Sequence, residues 1–203
     1  KPPGPNYIKI PLRVIFFAGR NVFCHFGRYL SGKTKGGSIP SFNGEMFAGM
    51  YGFCWILKHI AFPDRAWEKK VTIGGGMMAF LLVLALYWVF PYLLISGVLG
   101  PEQKIASFAL LSAAISIHTL GVVIMMVADS QKYYTLKYHQ GLITEGMFKY
   151  IRHPNYLGEI MLYASYAMIV QHWIPWAILA WVWIGVFLIN ILQKEASMSR
   201  YPE

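Results

Sequence analysis

The side chains best suited to chemistry gather between Asp129 and Glu159, a stretch that holds Asp129, Lys132, Lys137, His139, Lys149, Arg152, His153, Asn155 and Glu159. Its second half reads Arg152-His153-Pro154-Asn155-Tyr156-Leu157-Gly158-Glu159. Pro154 drives His153 into an extended conformation and opens a helix, so Asn155 and Tyr156 fall in the first turn. Glu159 follows one turn later, at i+4 from Asn155 and i+3 from Tyr156. A helix N-terminus offers free backbone N–H groups and the positive end of the dipole, and Arg152 and His153 add donors beside it. That arrangement suits a phosphate or a carboxylate. Glu159 itself is costly inside an apolar helix unless it is paired or faces a wet cavity, although its N-terminal position lowers the cost. The plainer reading of the run is a basic interfacial loop with one helix-capping carboxylate.

Other groups weigh toward structure. His118 stands in an apolar stretch near Ser112, Ser116 and Thr119; it is a weak catalytic candidate as a proton donor, against the more ordinary role of a helix–helix hydrogen bond. Tyr87 faces the same choice, and Tyr92 reads as an interface anchor. Trp173, Trp176, Trp181 and Trp183 read as an interfacial belt before a stacking box. Gly74-Gly75-Gly76 lacks the Lys-Ser/Thr of a phosphate loop. Cys24 and Cys54 are the only cysteines. They form no metal-ligating spacing and read as small apolar fillers, so no metal is expected.

The elements that must position these residues are set by composition. Of 203 residues, 56% are hydrophobic and 13% charged, against about 25% charged in soluble domains. Ile73–Leu99, with a kink expected at Pro91, Ile105–Val127 and Trp173–Leu192 are each long enough to cross ~30 Å of hydrocarbon. Leu157–Val170 is shorter and is expected to extend through Gln171-His172. Without barrel-like alternation, helices are the reading. The expected fold is therefore all-α: a polytopic membrane bundle of four transmembrane helices plus one interfacial or re-entrant apolar segment, Met46–Phe62. Leu12–Arg28 mixes aromatic side chains with arginines and suits an interface, of membrane or of protein. Residues 1–70 read as a basic, aromatic peripheral region and 71–203 as the transmembrane domain. The sequence begins at Lys1, so no targeting signal is readable.

Charge supports this layout. The net charge is +9, but the basic residues sit between apolar runs, which points to membrane topology and away from nucleic acid. With four crossings, Arg65, Lys69, Lys70, Lys132, Lys137, Lys149, Arg152, Lys194 and Arg200 all fall on one side, which is expected to face cytosol, matrix or stroma. An organelle inner membrane and the endoplasmic reticulum fit equally.

Arg152–Glu159, with Ala128-Asp129-Ser130-Gln131-Lys132 about twenty-five residues earlier, Leu142–Phe148 between them and Lys194-Glu195 to Tyr201-Pro202 after the last apolar run, resembles the C-terminal half of the membrane steroid 5-alpha-reductase and sterol-reductase superfamily, closest to its bacterial-type branch. The resemblance covers roughly residues 105–203. It implies an oxidoreductase of lipid metabolism that uses NADPH to reduce an activated double bond in a lipophilic substrate. Asp129, Asn155 and Glu159 would contact the cofactor's polar groups, Lys132 and Arg152 its phosphates, and His153 would add a donor. Tyr156 would line the nicotinamide or ribose region and is a weak catalytic candidate.

Arg152, His153, Pro154 and Tyr156 are also similar to membrane methyltransferases of the isoprenylcysteine carboxyl and phospholipid types. Glu195 could serve as their later carboxylate, and the group held would be S-adenosylmethionine. Residues 1–70 do not match the earlier helices of the reductases. That leaves a third expectation: a reductase-derived, non-catalytic subunit of a membrane complex, holding no cofactor and meeting protein partners through residues 1–70. Membrane lipids are partners in every reading.

Overall fold

The computed structural model describes residues 9–11, 51–64, 70–96, 98–99, 106–139 and 141–199. The Leu12–Arg28 segment, Cys24, the 46–50 end of the short apolar stretch, Arg65, Lys69 and the chain beyond residue 199 lie outside them.

Helix α1 occupies 51–61 and has two faces. Phe53, Ile56, Leu57 and Ile60 are exposed, at the i, i+3, i+4, i+7 spacing of one helical stripe, while Lys58 and Phe62 are buried. Strand β1 (Lys9–Pro11) pairs antiparallel with β2 (Lys70–Thr72), Lys9 opposite Thr72. This two-stranded ladder is an addition to the all-helical expectation. β2 contains both Lys70 and Val71, so it joins the N-terminal region to the bundle, and residues 9–11 lie beside the start of the next helix.

Helix α2 spans Ile73–Leu94. Thr72 caps it, its hydroxyl accepting from the Gly75 N–H at 3.2 Å, so the triple glycine forms a capped first turn. The helix passes through a π-helical stretch at Phe80–Leu84 and a 3-10 stretch at Ala85–Trp88 before Pro91. Pro91 bears on the nearer of the two: it has no N–H, and its ring would strike the Tyr87 carbonyl in a regular α-helix.

Helix α3, Phe108–Tyr138, has 31 residues and is capped by the Ser107 hydroxyl, which accepts from the Leu110 N–H at 3.2 Å. Helix α4, Pro154–Val170, starts at the proline and ends where Gln171 turns left-handed at φ 51°. It does not extend through Gln171-His172. His172 instead caps helix α5 (Trp173–Met198), its ring nitrogen accepting from the Ile174 N–H at 3.2 Å. A left-handed residue followed by a cap makes a tight hairpin.

α2, α3 and α5 are long and apolar enough to cross a membrane. α4 has 17 residues and is the inner helix, burying Leu162, Ser165, Tyr166, Ala167, Ile169 and Val170. It packs along α3, where Ala114, Met125 and Ala128 are fully buried, and the Val89–Ile95 end of α2 closes its far half. Trp173, Trp176 and Trp181 are exposed, and the Trp181 indole N–H donates to the Leu82 carbonyl at 3.2 Å, tying α5 to α2. Cys54 is a free, partly buried thiol.

Candidate functional site

The C-terminal end of α3, the N-terminal end of α4 and the C-terminal end of α5 meet, and α1 closes over them. From α3, the Asp129 carboxylate forms an ion pair with Lys58 of α1; the two side chains are 10% and 7% exposed. The Lys58 ammonium also lies 4.6 Å from the centre of the Trp55 ring. One turn further along α3, Lys132 pairs with Asp64 at 3.5 Å. Both contacts join the residues around α1 to the same stripe of α3, which carries positions 129 and 132 at i and i+3.

From α4, Glu159 is partly buried and feels the charges of Lys58, Asp129 and Lys194. The Asp129 and Glu159 that the sequence separates by a long loop therefore share one electrostatic network with two lysines. Tyr156 is buried, with the ring of Phe187 at 5.0 Å and that of His153 at 5.9 Å. Its hydroxyl oxygen accepts from the Lys194 ammonium at 3.2 Å and has the Asn190 side chain as a further hydrogen-bonding neighbour. Phe187, Asn190 and Lys194 lie at i, i+3 and i+7, one face of α5.

Glu195, the next residue, meets the two residues that precede α4. The Arg152 guanidinium donates to one of its carboxylate oxygens at 2.5 Å, and the His153 ring lies 2.9 Å from the other. Asn155 is partly buried in the first turn of α4. The loop that leads there is held by Gln131: its amide N–H donates to the Glu145 carbonyl at 2.7 Å and its amide oxygen accepts from the Met147 N–H at 3.1 Å. Gly146, at φ 57°, makes that grip possible, because a Cβ there would lie 2.4 Å from the Gln131 amide.

One turn deeper than Glu159, Tyr163 stacks on Tyr87 with ring centres 4.3 Å apart, and the edge of Tyr51 meets it at 6.1 Å. Tyr87 is thus an inward residue, whereas Tyr92 is exposed.

The structure brings Asp129, Lys132, Tyr156 and Glu159 into this network, and Arg152 and His153 to its rim. It does not bring His118 there. His118 lies eleven residues before Asp129, roughly 16 Å along α3. Its ring nitrogen Nδ1 sits 3.1 Å from the Ser165 hydroxyl of α4. Ser165 donates its own proton to the Leu162 carbonyl at 2.6 Å, so the His118 N–H is the donor to Ser165.

Lys58, Asp64, Tyr51 and Tyr163 were missed as site residues by sequence reasoning. The signal for Lys58 was its helical spacing from Tyr51 and Trp55, opposite the stripe Phe53, Ile56, Leu57 and Ile60. Lys194 and Asn190 gave a weaker one, a polar pair at i and i+4 closing an apolar helix.

Fold and site together define a helical bundle with three membrane-length apolar helices and a charged, partly buried cluster at one end. The chain belongs to the family described as "Protein of unknown function (DUF1295)", which matches residues 55–202. It is similar to two uncharacterized proteins of Schizosaccharomyces pombe. One is 38% identical over 63 residues, 28% of this chain and 23% of that protein. The other is 32% identical over 77 residues, 35% of this chain and 22% of that protein. The matches span less than a quarter of the length of either relative. No solved structure matches the chain.

Proposed function

We propose that the chain is a membrane reductase of the steroid 5-alpha-reductase and sterol-reductase type, reducing an activated double bond in a lipid with NADPH. The observation that supports this reading is the meeting of the two motif halves, Asp129 from one and Tyr156 and Glu159 from the other, in one network. The residues present fit a dinucleotide. Lys132 and Arg152 keep side chains 37% and 71% exposed at the rim, where phosphates would sit. The start of α4 presents its free N–H groups, Asn155 and Glu159 offer polar contacts, and Tyr156 with Phe187 provides an aromatic wall.

NADPH, when bound, supplies the hydride that goes to one carbon of the double bond, and the other carbon takes a proton. The chain's own part is to orient the two reactants and exclude water. In this reading α4 is a fourth crossing, with about 25 Å of helix sunk among its neighbours, and the charged end faces cytosol, matrix or stroma by the positive-inside rule.

A second reading is an S-adenosylmethionine-dependent membrane methyltransferase, and one contact favours it. Glu195 is clasped by Arg152 and His153 beside the aromatic rings of Tyr156 and Phe187. A carboxylate next to aromatic faces suits a sulfonium cation.

Binding of the two cofactors to the purified chain separates the readings. Saturable NADPH binding that is lost in Asn155→Ala and Glu159→Ala is the expected result. S-adenosylmethionine binding that is lost in Glu195→Gln moves the assignment to the methyltransferase. Binding of neither, with purification only in company of other proteins, moves it to a complex subunit that meets its partners through residues 1–70.

A further inference from the structure

Among the described residues, the cations at the charged end of the bundle differ in their partners. Lys58 pairs with Asp129, Lys132 with Asp64, and Arg152 with Glu195, while Lys194 lies among the charges of Asp64, Asp129 and Glu159. Lys137 and Lys149 differ. Both are exposed, and among the described residues no carboxylate lies within ion-pair distance of either. Each is instead set against tyrosine rings. The Lys137 ammonium is 5.9 Å from the centre of Tyr133 and 5.5 Å from that of Tyr138, and the Lys149 ammonium is 6.0 Å from that of Tyr150. Tyr138 and Tyr150 are 70% and 82% exposed, among the most open aromatic side chains described.

Their depth is fixed by α3. Its apolar run ends at Val127, and the helix continues to Tyr138, so its last turns rise out of the hydrocarbon. Gln131, about 6 Å beyond Val127 along the axis, holds the 145–147 backbone against α3, and Lys149 and Tyr150 follow that stretch directly. Lys137 starts further out. Side chains on a helix lean toward its N-terminus, here toward the membrane, and the Lys137 contact with Tyr133 one turn back shows that lean.

We propose that Lys137 with Tyr133 and Tyr138, and Lys149 with Tyr150, form a surface that binds the phosphate-bearing headgroups of anionic phospholipids in the surrounding leaflet. Ammonium groups meet the headgroup charge, and the exposed tyrosine hydroxyls donate to its oxygens at the depth where tyrosine partitions. Charge complementarity commits the surface to anionic lipid over zwitterionic lipid. Lys58, by contrast, is buried and paired with Asp129, away from any headgroup.

The test uses the full chain in phosphatidylcholine vesicles that contain phosphatidylserine, and electron spin resonance of spin-labelled lipids measures the selectivity for serine over choline headgroups. The wild-type chain is expected to prefer phosphatidylserine, with the preference reduced about fivefold or more in Lys137→Gln/Lys149→Gln and kept in Lys137→Arg/Lys149→Arg. The retained arginine variant separates loss of charge from loss of fold. Equal selectivity in wild type and the glutamine variant overturns the proposal. So does a preference abolished by millimolar inorganic phosphate but not by chloride at the same ionic strength, which would make the surface a free-phosphate site. A wild-type chain with no lipid preference, whose lysines are protected only by an added acidic protein, overturns it as well.

Discussion

Gly121 of α3 and Gly158 of α4 lie backbone against backbone. A Cβ added to Gly121 would stand 2.7 Å from the Gly158 carbonyl oxygen, and one added to Gly158 would stand 2.6 Å from the Gly121 carbonyl oxygen. Both obstacles are main chain, so neither helix can yield by turning a side chain. This contact sets the spacing of the two helices whose ends carry Asp129 and Glu159.

Gly121→Ala and Gly158→Ala are therefore expected to destabilise the fold by about 1–3 kcal/mol each, the cost of overpacking a close contact. Gly185→Ala is the control, since nothing lies within 4 Å of its added Cβ. Thermal unfolding in detergent reads all three. Equal losses at positions 121, 158 and 185 would show that the crossing is not the cause.

Lys58 and Asp129 are buried enough that neither tolerates loss of the other. Lys58→Met or Asp129→Leu alone should cost about 3–5 kcal/mol, because the surviving charge stays in the interior without its direct ion-pair partner. Lys58→Met/Asp129→Leu together should cost less than the sum of the single changes. A double-mutant cycle on the unfolding midpoint measures the coupling, and simple additivity would sink the idea.

Gln131 is expected to be the clamp of the loop that precedes the site. Gln131→Leu removes two hydrogen bonds, each contributing about 1 kcal/mol, and trypsin should then cut after Lys149 faster than in the wild type. Gly146→Ala should act in the same direction, since it strains a left-handed residue and pushes a methyl group into the Gln131 amide. Unchanged cleavage in both variants would assign the order of the loop elsewhere.

Glu195 holds Arg152 and His153 at an exposed rim. Glu195→Ala should speed amide hydrogen exchange over residues 150–155 and leave the global unfolding midpoint nearly unchanged, because rim ion pairs organise more than they stabilise. A large fall in the midpoint with no local change in exchange would contradict this.

Much of the scaffold was legible in the sequence because membrane helices are written in uninterrupted apolar length. Ile73–Leu99, Ile105–Val127 and Trp173–Leu192 each contain a helix of membrane-spanning length, and Pro154 opens α4. The error at Gln171-His172 is a matter of backbone geometry. Apolar pattern does not reveal that a glutamine will turn left-handed, nor that the histidine after it will cap the next helix. The β1–β2 pair was hidden for a related reason, since three residues on each side carry no readable alternation.

Within the site, local chemistry was readable and partnership was not. Sequence alone placed Asn155, Tyr156 and Glu159 on the first turns of one helix, because proline chemistry and helical spacing act over a few residues. Only the tertiary structure decided that Lys58 meets Asp129, that Lys194 meets Tyr156, and that Glu195 closes on Arg152 and His153. Those pairs join residues 71, 38 and about 42 positions apart, and they depend on how α1 and α5 settle against α3 and α4. That settling is set by the depth of the Gly121–Gly158 contact and by the burial of α4, which are properties of packed surfaces rather than of any one segment.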